Sequence, residues 1–361
     1  MKLRYALIGC GRIAPNHIAA VMNNADTIEL VAVCDPVEAC MERVLTPVEN
    51  KDAVKRYTDY KVMLEEVKPD LCAIATESGY HAAIGMDCLT AGCNLIIEKP
   101  IALSLKDADA MIALAEEKGL VLCACHQNRF NKSVQKIREA VEQGKFGGLL
   151  HGAAHIRWAR DENYYKQAPW RGTWEQDGGA LMNQCIHNID LLRWMMGDNL
   201  KQVMAYTDRL VHDYIDAEDL GLAVLKFENG TYGLVEGTTN VFPCNLEETL
   251  YLFGKEGTVK AGGRSVNLIE EWKFADTDDA ASEQVKAEFG ENPPNIYGFG
   301  HTPLYTDVAD AVLNHRAPYV DGKAGRRALE TVLAIYRSAA TGAPVNLPLE
   351  DASTMEFKGR F

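Results

Sequence analysis

Short apolar runs and helical stretches alternate through the first third of the chain. Leu3–Ile8, Ile28–Cys34, Leu71–Ala75, Asn94–Ile97 and Leu120–Ala124 have the length and content of buried strands. Helical period fills the intervals, most clearly at His81–Thr90 and Ser104–Lys118, where Ser104 followed by Asp107 is an N-cap signal. This alternation predicts a parallel, doubly wound α/β sheet over residues 1–125.

The rhythm changes after His126. A helix at Lys132–Gln143 stops at Gly144, and long β-forming runs follow at Leu149–Ala159, Asp219–Phe227, Thr231–Thr239 and Thr249–Phe253. Asn229-Gly230 between two of them is a hairpin signal. One amphipathic helix, Gly179–Met196, interrupts the strands, and helical segments at Pro303–Asn314 and Ala324–Ala340 close the chain. Residues 126–361 therefore predict an α+β domain with a large, mostly antiparallel open sheet. The polar stretch Ala275–Pro294 predicts a long surface loop.

Composition narrows the class of function. With 47% apolar and 24% charged residues, the 361-residue chain reads as globular and long enough for two cores. A net charge of −14 argues against nucleic acid or an anionic membrane as partner. No apolar run is long enough to span a bilayer and the chain enters a strand at once, so the expected location is cytoplasmic. The ten cysteines are scattered through apolar runs without a CxxC pair, which suits a reducing compartment; no metal site is expected.

Candidate chemistry lies at the ends of the predicted strands. Gly9-Cys10-Gly11-Arg12-Ile13-Ala14 follows the first strand and opens a helix. Gly9 and Gly11 permit a tight turn and close approach of a pyrophosphate to the helix start beside Ile13. Asp35, ending the second strand, would accept bonds from ribose hydroxyls and repel a 2′-phosphate, which favours NAD over NADP. Arg12 argues the other way, since it could contact such a phosphate. Thr76, Ser78 and His81 follow the next strand, where either cofactor contact or helix capping by Ser78 accounts for them. Glu98-Lys99-Pro100 closes the strand after that. A lysine there suits proton transfer beside a hydride acceptor; a salt bridge with Glu98 is the alternative.

A second constellation begins at Asp177-Gly178-Gly179. On a regular helix Asn183 and His187 are four apart and share one face, away from an apolar stripe of Leu181, Cys185, Ile189 and Leu192. Just before it, Tyr164, Tyr165, Trp170, Arg171 and Trp174 form an aromatic loop. Its rings suit a sugar face and Arg171 a phosphate or carboxylate, though packing beneath a loop fits equally.

Taken together, Gly-Cys-Gly-Arg, Glu98-Lys99-Pro100 and the Gly-Gly-x3-Asn-x3-His run resemble the glucose-fructose oxidoreductase, inositol dehydrogenase and rhizopine-catabolism (Gfo/Idh/MocA) family, over the whole chain. The resemblance implies an N-terminal Rossmann domain, a C-terminal sheet used for homodimer or homotetramer formation, and NAD(P)-linked oxidation or reduction of a sugar or cyclitol carbon. It makes Lys99 and His187 the catalytic pair. It gives Gly9, Gly11, Arg12, Ile13, Asp35, Thr76, Ser78, His81 and Glu98 to the cofactor, together with Gln127 and Asn128. Arg129 and Asn131, with the Tyr164–Trp174 loop and Asn183, fall to the substrate.

Two positions depart from the family pattern. Many members carry Asp where this chain has Asn183, and Glu77-Ser78 stands where Pro-Asn is frequent. An amide gives an imidazolium no charge partner, so His187 is expected to enter neutral and accept a proton directly. Asn at this position also associates the chain with members that oxidise C3 of UDP-linked aminosugars. The expected reaction is therefore hydride transfer between NAD and a secondary alcohol of a sugar or nucleotide sugar. An inositol or free-sugar dehydrogenase, a hydrolase using NAD transiently, and a cofactor-binding regulator are the alternatives.

Overall fold

The computed structural model describes residues 2–293 and 298–361. The chain divides into two compact units, Met1–His126 with Gly300–Arg326, and Gln127–Phe299 with Arg327–Phe361.

The first unit runs β1 (Leu3–Ile8), α1 (Ala14–Asn23), β2 (Ile28–Cys34), α2 (Glu38–Leu45), β3 (Lys55–Tyr57), α3 (Tyr60–Val67), β4 (Leu71–Ile74), α4 (His81–Thr90), β5 (Asn94–Ile97), α5 (Leu105–Lys118) and β6 (Leu122–Ala124). These strands form one six-stranded sheet in the order β3-β2-β1-β4-β5-β6. Every pairing in it is parallel. This is the doubly wound α/β fold that the alternation predicts. Strands β1 and β4 are buried throughout their centres, so their apolar runs need no polar face. The chain reverses its direction of sheet growth between β1 and β4, which opens the crevice at their carboxyl ends. Ser104 caps α5 by accepting from the Asp107 amide at 3.1 Å.

The second unit contains α6 (Lys132–Glu142), β7 (Leu149–Arg157), α7 (Glu162–Lys166), α8 (Ile186–Met196), β8 (Leu200–Asp208), β9 (Leu220–Phe227), β10 (Tyr232–Thr238), β11 (Glu247–Gly254), β12 (Gly257–Gly262), β13 (Leu268–Phe274) and α9 (Asp279–Phe289). After α10 (His301–Leu313) and α11 (Gly322–Thr341), β14 (Val345–Asn346) completes an eight-stranded sheet, ordered β13-β12-β11-β7-β10-β9-β8-β14. Only β7 and β10 pair in parallel; the other contacts are antiparallel. The β9–β10 hairpin turns at Asn229-Gly230, with Gly230 at φ 86°. Helix α8 can lie close over this sheet because glycines face it. A Cβ on Gly152 would stand 2.8 Å from Leu192, and one on Gly233 3.2 Å from it.

Three features differ from expectation. The predicted loop at Ala275–Pro294 holds α9, and Pro294 lies outside the described residues. Asp278 caps that helix by accepting from the Ala281 amide at 2.8 Å, and only Ser282 of it is buried, so it carries no apolar stripe to read. Strands β3, β8, β12, β13 and β14 are not distinct in the hydrophobic pattern. Finally, residues 300–326 group with the first unit, whereas the sequence assigns them to the second domain. Their anchor is α10, which packs on α1 and whose Tyr305 hydroxyl meets that of Tyr5 in β1 at 2.8 Å. Among the described residues, no helix is long and apolar enough to cross a membrane.

Candidate active site

In the first unit the motifs gather at the carboxyl ends of β1, β4 and β5. Gly9 adopts φ +94°, and a Cβ on it would lie 2.6 Å from the Ala75 backbone, so only glycine fits. A Cβ on Gly11 would meet nothing within 4 Å, which leaves open space beside the start of α1. That helix begins with a proline in its first turn and no side-chain cap at Ile13, so its first amides suit a pyrophosphate. Asp35 braces the turn, accepting from the Cys10 amide at 2.8 Å through one oxygen and from the Val37 amide at 2.8 Å through the other. A carboxylate keeps further lone pairs for ribose hydroxyls. Arg43, not singled out by the sequence, donates to the Cys10 carbonyl at 3.0 Å. Its only sequence signal was a basic residue late in the helix after Asp35. The exposed Arg12 stands at the same turn.

Lys99 is half-buried at the end of β5 and its peptide bond to Pro100 is cis. Two neighbours expected at the cofactor also make internal contacts. His81 Nδ1 is 2.8 Å from the Pro100 carbonyl, and its Nε2 3.2 Å from that of Thr76. A neutral ring satisfies one of these, best the shorter, and burial pushes its pKa down. The histidine thus ties the Thr76–Ser78 turn to the Lys99–Pro100 turn. Glu98 is turned inward, its Oε1 3.1 Å from His17 Nε2.

In the second unit, Gly178 and Gly179 take φ of 85° and 91° and lead into a π-helical turn, Leu181–Cys185, before α8. Asn183 lies in that turn and the half-buried His187 just beyond it, so their spacing is not the regular α-helical step expected. Such π turns are frequent at functional sites. Glu218 holds the entry: its Oε1 accepts from the Leu181 amide at 2.7 Å and lies 2.9 Å from the Tyr336 hydroxyl. Burial pushes its pKa up to about 8. The Tyr336 hydroxyl also reaches the Gly178 carbonyl, so its one proton is shared between that carbonyl and Glu218. Asp177 accepts from the Asn183 amide and, at 2.7 Å, from the Gly172 amide. Neither acid was assigned a role in the sequence, because nothing in the pattern marks a carboxylate aimed at backbone.

The remaining expected ligand contacts divide. Arg171 donates to the Tyr164 hydroxyl at 2.8 Å and stacks on the Tyr164 and Trp170 rings. Trp174, only 2% exposed, packs against Tyr336 and Phe357, and Tyr165 is likewise buried, bonding Thr239 at 3.2 Å. These two rings are core, not stacking platforms. Arg129 is committed to Asp190 and Asn131 donates to the Ser265 carbonyl at 2.7 Å, so both brace the unit. Asn128 accepts from the Ser265 hydroxyl at 3.3 Å, and Gln127 donates to Asn128 at 3.4 Å.

Residues 3–126 match the family model for the oxidoreductase family, NAD-binding Rossmann fold, and residues 134–260 match the GFO/IDH/MocA C-terminal domain. The chain belongs to the GFO/IDH/MocA oxidoreductase family. It is an NAD-binding oxidoreductase, and its glycine turn, helix start and Asp35 fit that cofactor. Among solved structures it is similar to the WlbA dehydrogenase from Bordetella pertussis in complex with NADH and UDP-GlcNAcA. The two are 36% identical with a TM-score of 0.88, over 97% of this chain and 99% of that one. A D-apiose dehydrogenase from Paraburkholderia graminis is 30% identical over 96% of this chain and 90% of its own length. A myo-inositol 2-dehydrogenase from Thermotoga maritima is 26% identical over 72% of this chain and 75% of its own.

Proposed function

We propose that this oxidoreductase acts on a secondary alcohol of a nucleotide sugar, with C3 of a UDP-linked aminosugar as the preferred position. The observation that carries the reading is its 36% identity, across nearly the full chain, to a dehydrogenase crystallised with NADH and UDP-GlcNAcA. Asn183 in place of the commoner aspartate supports the same branch. NAD supplies the hydride acceptor or donor. His187 takes the hydroxyl proton as general base, and Lys99 hydrogen-bonds the same oxygen and stabilises its developing charge. Asn183, oriented by Asp177, positions a neighbouring hydroxyl. Arg171, steadied by Tyr164 and Trp170, meets an anionic group of the substrate.

The test is NADH formation from NAD with a panel of UDP-aminosugars and UDP-aminosugar uronates, inositols and free hexoses. Turnover with the UDP-sugars alone supports the proposal. Turnover confined to inositols would favour the second reading, which the myo-inositol relative supports.

We further propose that the enzyme is a homodimer or homotetramer built on the outer face of its eight-stranded sheet. Val224, 48% exposed, and Leu234, 45% exposed, face each other across β9 and β10, and Leu222 pairs with Tyr206 on β8. A contiguous apolar patch of this kind favours burial against another copy. Light scattering after chromatography should give a multiple of the chain mass, lowered by Val224→Asp with Leu234→Lys; an unchanged mass would oppose the interface. The free cysteines, nine of ten buried or half-buried, support a cytoplasmic location.

A further inference from the structure

Within the first unit, two histidines converge on Glu98, a residue that the family resemblance gives to the cofactor. His17 comes from α1, Glu98 from the end of β5 and His301 from the first turn of α10, and all three are buried. One ligand atom from each lies within 4.8 Å of the others. His17 Nε2 is 3.1 Å from Glu98 Oε1, and His301 Nε2 is 3.6 Å from the same oxygen. Nitrogen and oxygen ligands about 2.0–2.2 Å from a tetrahedral zinc ion stand roughly 3.3 Å apart, a spacing these two separations bracket.

The second observation is the state of His301. Its side chain is 4% exposed, and among the described residues neither ring nitrogen has a partner within hydrogen-bond distance, the Glu98 carboxylate standing at 3.6 Å from Nε2. A buried imidazole with both nitrogens unsatisfied is costly, and a cation would satisfy one of them. His17, by contrast, is steadied from behind, with Nδ1 2.6 Å from the Tyr305 hydroxyl, which in turn meets Tyr5 at 2.8 Å.

We propose that His17, Glu98 and His301 form a binding site for a borderline divalent transition-metal ion, zinc by preference, with a fourth position open to water. Two imidazoles and one carboxylate suit zinc, whereas magnesium and calcium require mostly oxygen ligands. Without metal, protons run from Tyr5 to Tyr305, from Tyr305 to His17 Nδ1, and from His17 Nε2 to Glu98. With metal on Nε2 the imidazole proton sits on Nδ1 and donates to the Tyr305 oxygen, whose own proton turns toward Tyr5. This is the tautomer a hydrogen-bonded metal ligand normally adopts. The three ligands come from separate stretches of the chain, so the ion would pin α10 to α1 and β5.

The test uses the full-length protein stripped with chelator, its exposed Cys244 thiol capped, then dialysed against zinc and analysed by elemental mass spectrometry. One equivalent per chain is expected, with a raised melting temperature. His301→Gln and Glu98→Gln should each lose that equivalent while keeping the native circular-dichroism spectrum. Cobalt in place of zinc should give visible d–d bands in the wild-type protein without a thiolate charge-transfer band, a readout independent of whether either variant folds. Absence of retained metal, binding that survives in both variants, or a thiolate band would each overturn the proposal.

Discussion

Arg129 and Asp190 face each other through two hydrogen bonds of 2.7 Å, Nε to Oδ2 and Nη2 to Oδ1, both side chains almost wholly buried. The guanidinium also stacks on Trp194, 4.6 Å from the ring centroid. The pair joins the segment before α6 to α8, the helix that carries His187. Removing one partner leaves the other charge buried and uncompensated, a loss of about 3–5 kcal/mol. Asp190→Ala should therefore lower the denaturant midpoint sharply. A variant with unchanged stability and a raised KM would instead make Arg129 a substrate contact.

Glu218 makes stability depend on pH. Its pKa is pushed up to about 8 by burial, whereas the unfolded chain loses that proton near 4.5. Between those values the folded state holds a proton that the unfolded state has released. The stabilisation is complete at acid pH, declines as pH rises through this window, and is lost above it, on the order of 3–5 kcal/mol in all. Urea midpoints should fall between about pH 5.5 and 8.5, and Glu218→Gln should flatten that slope. An equal slope in the variant would remove Glu218 as its cause.

The two glycines of the nucleotide turn should separate folding from binding. Gly9→Ala strains a left-handed backbone and drives a Cβ to 2.6 Å from Ala75, so the protein itself should be destabilised. In Gly11→Ala the new methyl meets no atom of the chain within 4 Å, and it would intrude on a pyrophosphate bound at this turn. Its melting temperature should match wild type while calorimetry finds NAD affinity reduced. Unchanged NAD affinity would place the pyrophosphate elsewhere.

A pair of strand glycines makes a comparable prediction for the π turn. Gly221 and Gly237 pair across β9 and β10, and Leu181 rests on both: a Cβ would stand 2.4 Å from it at the first and 2.6 Å at the second. Gly237→Val should cost about 1–3 kcal/mol and displace the turn that carries Asn183. Melting temperature and turnover should fall together; a drop in neither would mean the turn does not depend on this floor.

Much of this was legible in the sequence, for identifiable reasons. Strands buried mostly on both faces leave runs dominated by apolar residues, broken only by Arg4 in β1 and Glu29 in β2, so β1, β2 and β5 were bounded correctly, and α4 began at His81 as expected. The Asn229-Gly230 turn was legible because few dipeptides take its backbone so readily. Helix α9 was missed because it has capping and helix-forming residues but almost no buried face. The π turn was missed because the groups that Leu181 meets there, Glu218 and two strand glycines, are distant in sequence. For the same reason Trp174 and Arg129 looked like ligand contacts: an aromatic or arginine near a site motif does not reveal whether its partner is a substrate or the Tyr336 ring and the Asp190 carboxylate.

Single-turnover NADH formation by Lys99→Ala and His187→Ala, with NAD affinity measured in parallel, tests the central claim most directly. Acid–base assistance of this kind contributes about 10²–10⁴ in rate, so each variant should lose at least the lower factor while binding NAD nearly as wild type does. Near-normal turnover in both variants would contradict the assignment of these two residues to the reacting oxygen.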